Sequence, residues 1–73
     1  MMSPQELEPL FGFHPATETT GPLHEEARAK CLELAKWINQ NVPDSREKSI
    51  ALTKVQEAMW ASNAAIAIHT PRD

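Results

Sequence analysis

The sequence predicts a small all-α protein in which two long helices fold back on each other as an antiparallel hairpin. Apolar residues recur every three or four positions along two stretches, the pattern of a helix with one apolar face. Pro43 stands between the stretches and interrupts the helical pattern. A chain of 73 residues with one cysteine has little room for a core and no internal disulfide. We therefore expect the hairpin to assemble into a homo-oligomeric helical bundle.

The N-terminal arm, residues 1–21, is predicted to be mostly irregular because it is rich in proline and threonine. Within it, Ser3 and Pro4 suit the N-cap and the first position of a helix. Glu6 completes the pattern of a capping box. These residues predict a helix of one or two turns that ends before Pro9.

The hairpin is predicted over residues 22–70. Thr20 provides a start for its first helix, and Pro43 provides the stop. The apolar face follows spacings of four and three residues: Leu23, Ala27, Cys31, Leu34, Ile38 and Val42.

The second helix is predicted to start at Asp44, as its N-cap, with Glu47 as the capping-box partner, and to end near His69 before Pro71. Its apolar face comprises Leu52, Val55, Met59, Asn63 and Ile66. A turn of only a few residues around Asn41 requires the two helices to run antiparallel.

Several apolar residues fall outside these two faces: Leu32, Ala35, Trp37, Ile50, Trp60, Ala64 and Ile68. Two helices share a single contact line, so this additional apolar surface indicates contacts with other copies of the chain. We interpret both tryptophans as packing anchors.

Composition excludes several classes of partner. Seven basic and ten acidic residues give a net charge of -3, which is unsuited to duplex nucleic acid and leaves only small anions as expected ligands. No apolar run approaches the roughly 18 residues that span a membrane. The first residues lack the pattern of a signal peptide. We expect a soluble cytoplasmic protein with no membrane partner.

Catalytic and metal chemistry are not indicated. His14, His24 and His69 are too scattered for a local metal motif. Cys31 lies on an apolar helix face with no base beside it, which predicts a buried, unreactive thiol. Without a set of nucleophile, base and orienting group, we expect neither an enzyme nor a cofactor.

Four basic residues are candidates for binding an anion. Arg28 and Lys30 lie on the first helix, and Arg46 and Lys48 lie in the first turn of the second. Such residues are equally often the solvated faces of amphipathic helices. Cations in a first turn oppose the helix dipole, however, and a nearby phosphate would resolve that conflict.

Two aromatic residues, Phe11 and Phe13, flank Gly12 in the arm. Exposed aromatic rings in an arm indicate either packing onto the hairpin or stacking on a ligand. A planar nucleic-acid base is one candidate ligand.

The second helix carries most of a family resemblance. The segments 43–54, 57–60 and 63–67 resemble small phage-encoded hairpin proteins, the anti-CBASS sponges, whose hairpin is shared with anti-Thoeris sponges. Phe13-His14 and Arg28-Ala29-Lys30 match the aromatic, histidine and basic positions of that family. The resemblance covers about residues 13–69. The sequence differs by having Phe13 where tyrosine is usual and Ile68 where a basic residue is frequent.

This resemblance implies a function. Members of the family bind cyclic oligonucleotide messengers of bacterial antiviral signalling and withhold them from the host effector without cleaving them. It implies a hexamer of two trimers in the infected host cytoplasm, with ligands such as cyclic GMP-AMP bound between protomers. On this mapping Phe13 and His14 lie at the ligand, Phe13 stacks on a base, and Arg28 pairs with a phosphate.

The resemblance further implies that Lys30 and Arg46 serve a second site, for cyclic trinucleotides. The alternative is a regulatory or structural hairpin protein that docks a protein partner through its apolar surface and has no nucleotide ligand.

Overall fold

A computed structural model describes residues 3–12 and 14–71, with the side chains of Leu7 and Leu10 excepted. Three helices follow one another along the chain: α1 (Pro4–Phe11), α2 (Thr20–Asn41) and α3 (Arg46–His69). Strands are absent from these described segments. The 22 residues of α2 and the 24 of α3 correspond to lengths of about 33 and 36 Å. The predicted all-α class is confirmed.

Helix α1 begins as the sequence predicts. The Ser3 hydroxyl oxygen accepts a hydrogen bond from the Glu6 backbone N–H at 3.3 Å, and Pro4 occupies the first turn. Proline is suited to that position because the N–H it lacks would have no partner within the helix.

The predicted end of α1 is wrong, because the helix continues through Pro9 to Phe11. A proline inside a helix removes one hydrogen bond, here the one to the Gln5 carbonyl, and crowds that carbonyl. Only this one bond is lost to the proline, and the last turn of α1 still forms.

The start of α2 is stabilised by two threonines that cap each other. The Thr20 N–H donates to the Thr17 hydroxyl at 3.0 Å, and the Thr17 N–H donates to the Thr20 hydroxyl at 2.7 Å. This exchange is the arrangement of a capping box, with threonine in place of the usual glutamate. Thr20 is buried as a result.

Two hydrogen bonds set the register of α2 against α3. His24 Nδ1 lies 2.8 Å from Asn63 Oδ1 near one end of the hairpin. The Lys48 ammonium donates to the Asn39 carbonyl at 2.9 Å near the other end. The same number of residues separates His24 from Asn39 as separates Lys48 from Asn63. The helices are therefore antiparallel, as predicted, and pair without a slip along their contact line, which we call the seam.

The cap of α3 differs from the prediction. The Ser45 hydroxyl, not the Asp44 carboxylate, accepts the Lys48 N–H at 3.1 Å. Ser45 has the extended backbone expected of an N-cap residue, with φ -171 and ψ 168. Asp44 is one residue too early for this role, and its carboxylate instead accepts a hydrogen bond from the Lys48 ammonium at 2.9 Å.

Lys48 resolves part of the expected conflict between first-turn cations and the dipole of α3. Its side chain is only 9% exposed and reaches back to the last residues of α2, where backbone carbonyls carry partial negative charge. The ammonium therefore interacts with the favourable end of a helix dipole. No phosphate is needed to explain this lysine.

The hairpin has a seam but no enclosed core. Among the described residues, Thr20 and Lys48 alone are buried, and no apolar side chain is. The radius of gyration is 15.3 Å, whereas a compact domain of this length would have about 11 Å. The smallest extent is 14 Å, close to a single layer of helices.

Replacing Lys48 by methionine should lower the free energy of unfolding by about 1 to 3 kcal/mol, because the Asn39 carbonyl loses a charged donor. Denaturant unfolding at one fixed protein concentration measures the effect. Lys54→Met is the matched control, since its ammonium is exposed and lies 3.4 Å from the Glu57 carboxylate. Equal stability of the two variants would contradict the role of Lys48.

The partner carboxylate gives the same contact a pH dependence. The hydrogen bond from Lys48, together with its positive charge, lowers the pKa of Asp44 below its ordinary value of 3.8. A lowered folded pKa adds stability above the unfolded pKa, and this contribution disappears as the pH falls through the folded value. As the pH falls below ~4, the free energy of unfolding of Asp44→Asn should therefore decrease less than that of the unaltered protein.

Candidate functional site

The two basic residues predicted on α2 lie on opposite flanks of that helix. Positions two residues apart are separated by about 200° around a helix axis, so Arg28 and Lys30 cannot line one pocket within a single chain. The Lys30 ammonium is exposed and lies 3.6 Å from the Glu26 carboxylate. Arg28 has no carboxylate at ion-pair distance among the described residues. Its guanidinium is thus available to a ligand.

Arg28 lines an open groove of about 300 Å³ between α2 and α3, which we call the interhelical groove. Its floor is apolar and includes Cys31, Leu32, Val55 and Met59. Its polar side chains are Arg28, Thr53 and Gln56. A concave apolar surface with a few polar groups is typical of ligand sites.

The groove floor includes the free thiol. Cys31 is half-buried in the single chain, less than the buried position that the sequence predicts. The difference arises because two helices cover a seam residue from one side only.

Arg46 lines a separate shallow pocket on α3, together with Ser49, Ile50, Thr53 and Lys54. Arg46 is the first residue of the helix and is exposed, so it still opposes the helix dipole there. A nearby anion would therefore still stabilise Arg46, whereas Lys48 already has the Asn39 carbonyl and the Asp44 carboxylate as partners. Thr53 lines both pockets, so they adjoin on one side of α3.

Within the arm, His14 holds the end of α1. Its ring Nε2 lies 2.7 Å from the Pro9 carbonyl oxygen, one of the last carbonyls of that helix. Phe11, the last residue of α1, is 85% exposed. Phe13 lies outside the described residues, so its stacking role stays a prediction.

The two tryptophans do not act as anchors within one chain. Trp37 is 59% exposed and Trp60 is 57% exposed. Rings this large are ordinarily buried or placed at an interface. Their packing partners, if they are anchors, belong to other chains.

Two kinds of feature are absent from the described residues. Nowhere do three or more histidine, cysteine, aspartate or glutamate side chains come together to hold a metal ion. None of the described helices combines the length and the apolar character required to cross a membrane.

A match to a known family model shows which family this chain belongs to. The family model described as Acb2/Tad1, hairpin domain, matches residues 3–67. The chain belongs to this family, the anti-CBASS and anti-Thoeris sponges. No curated protein and no solved structure matches it. The family resemblance inferred from α3 is thereby confirmed, and membership in the Acb2/Tad1 family implies a cyclic-nucleotide sponge function in general.

The matched segment of this Acb2/Tad1 hairpin contains every site residue predicted from the sequence. The structure brings Arg28 to the interhelical groove, places Arg46 in the adjoining pocket and leaves Lys30 on the opposite flank of α2. Thr53 and Gln56 also line the groove, but they were not among the site residues predicted from the sequence. Their signal is weak, because polar residues beside an apolar helix face ordinarily point into solvent.

Proposed function

We propose that this protein is a phage sponge that binds cyclic di- and trinucleotide messengers of CBASS antiviral signalling in the infected host cytoplasm. It sequesters them from the host effector without cleaving them. The observation that carries this proposal is the Acb2/Tad1 hairpin match over residues 3–67.

The groove chemistry supports a nucleotide ligand. A cyclic dinucleotide presents two phosphates and two planar bases. The guanidinium of Arg28, which forms no ion pair with a described residue, suits a phosphate, because guanidinium and phosphate form short, charge-assisted hydrogen bonds. The apolar floor beside it, and the ring of Phe13, suit the faces of bases.

A homo-oligomer, proposed as a hexamer of two trimers, would duplicate these groups for a ligand with repeated phosphates and bases. The absence of a buried apolar side chain in the described part of one chain supports assembly. The exposure of Trp37 and Trp60 supports it further, because subunit contacts would cover both rings.

Binding without turnover is supported by how the histidines are used. His14 is hydrogen-bonded to the Pro9 carbonyl and His24 to the Asn63 amide. Both bonds give the rings a role in the fold, His14 at the end of α1 and His24 across the seam, that does not depend on catalysis.

The alternative is a hairpin that docks a protein partner and binds no nucleotide. The exposed tryptophans favour this alternative as well as self-assembly, because aromatic residues are enriched at all protein interfaces. Ligand binding separates the two functions.

Calorimetric titration with a panel of cyclic di- and trinucleotides should show micromolar or tighter binding to at least one of them. Chromatography after long incubation and heat denaturation should recover that ligand intact. Absence of binding to every nucleotide in the panel would favour the protein-docking alternative. Linear products that appear only with protein present would show that it is an enzyme.

Light scattering at micromolar concentration should give a mass several times the 8.2 kDa of one chain. Ile66→Asp should dissociate or unfold the assembly, because an unpaired buried charge costs several kcal/mol. A stably folded, monodisperse monomer would contradict both the assembly and any site shared between protomers.

Phe13→Ala and Arg28→Ala should weaken binding in different ways. Loss of base stacking at Phe13, worth about 1 to 3 kcal/mol per base, should weaken binding about five- to 150-fold with unchanged salt dependence. Loss of the Arg28 charge should weaken binding and also make the remaining affinity less sensitive to salt. Lys36→Ala is the charge control, since Lys36 is exposed on α2 and does not line the groove.

Mixing the two variants tests whether the site lies between protomers. Mixed oligomers should regain some intact sites if Phe13 and Arg28 of one site come from different chains. Subunit-exchanged mixtures that bind no better than the separate variants would contradict that assignment. Loss of assembly in either variant would reassign that residue to structure.

A further inference from the structure

The contacts of the Gln56 side chain with the described residues give it no role in the fold. It is exposed, makes no hydrogen bond with another described residue and lines the interhelical groove with Arg28. We propose that Gln56 reads the edge of a base bound in this groove and gives the protein a preference for cyclic nucleotides that contain adenine. This inference rests on the proposed function and names the base that the site selects.

The size of the groove indicates one base rather than a whole ligand. Its volume of about 300 Å³ is at the lower limit of small-molecule pockets. A cyclic dinucleotide is therefore too large to lie in it completely. One purine ring can lie against the apolar side chains of Leu32 and Met59 while the rest of the ligand extends outward.

The polar groups around the groove suit the two other parts of a nucleotide. Arg28 comes from α2 and offers a cation to a phosphate, whereas Gln56 comes from α3 and offers an amide to a base. The antiparallel register places both beside the same apolar floor. A ligand in the groove would thus meet a charged and a neutral polar group from opposite helices.

An amide matches adenine better than guanine. Its N–H₂ group donates to adenine N7 and its oxygen accepts from the adenine N6 amino group, which gives two hydrogen bonds at once. Guanine presents two acceptors, N7 and O6, along the same edge. The amide oxygen of glutamine would then face an acceptor, so one of the two hydrogen bonds is lost.

The competing occupant of the groove is a second copy of the chain, packed against its apolar floor. The thiol of Cys31 distinguishes the two cases, because it is half-buried and lies in that floor. In the ligand-free assembly, a groove reserved for a base leaves this thiol open to alkylation. A groove covered by another copy protects it.

The test compares titrations of the assembled protein with cyclic di-AMP, cyclic GMP-AMP and cyclic di-GMP. The unaltered protein should bind cyclic di-AMP about five- to 150-fold more tightly than cyclic di-GMP, the range that one base contact supplies. In Gln56→Met this ratio should fall towards one. Gln56→Arg should shift the preference towards guanine, because arginine donates to both guanine acceptors.

Gln40→Met is the matched control, since Gln40 is exposed on α2 and lies outside the groove. It should leave the ratio of affinities unchanged. Iodoacetamide should modify Cys31 in the ligand-free protein, and saturating cyclic di-AMP should slow that reaction.

Several results would overturn the inference. Tight binding with no preference among the bases, or a preference that Gln56→Met leaves intact, would overturn it while the proposed function stands. A Cys31 thiol that is unreactive in the ligand-free assembly, or a Gln56→Met variant with altered oligomer mass, would assign the groove to subunit contacts. Absence of binding to all three nucleotides and to cyclic trinucleotides would overturn both proposals together.

Discussion

Two helices can bury apolar side chains against each other along only one line. In this protein that limit leaves a layer 14 Å thick, in which no described apolar side chain is fully buried. Such a layer gains little from the hydrophobic effect, which scales with the apolar area removed from water. The fold therefore depends on specific polar contacts at the ends of the seam and on whatever covers the remaining apolar surface.

The polar contacts determine more than the stability of the hairpin. The His24–Asn63 and Lys48–Asn39 hydrogen bonds lie near opposite ends of the seam and agree on one register. A change of register would move Arg28 relative to the residues of α3 that face it. The composition of the interhelical groove is therefore a consequence of how the two ends are held, and Lys48 influences the site without lining it.

The open architecture also explains why this small chain has several surfaces suited to binding. The interhelical groove, the adjoining pocket at Arg46 and the exposed tryptophans occupy different parts of the hairpin surface. In a larger domain much of this surface would lie within the core.

The sequence by itself determined which segments are helical, their antiparallel order and the family, because apolar spacing, capping residues and a specific α3 pattern are local or linear signals. It gave neither the end of α1 nor the N-cap of α3 correctly. Ser3 and Pro4 illustrate this for α1, since a cap depends only on neighbours along the chain. Tertiary structure decided the direction of long side chains. Arg46 and Lys48 both lie in the first turn of α3, but only the tertiary structure places the Asn39 carbonyl within reach of the lysine, while Arg46 remains exposed.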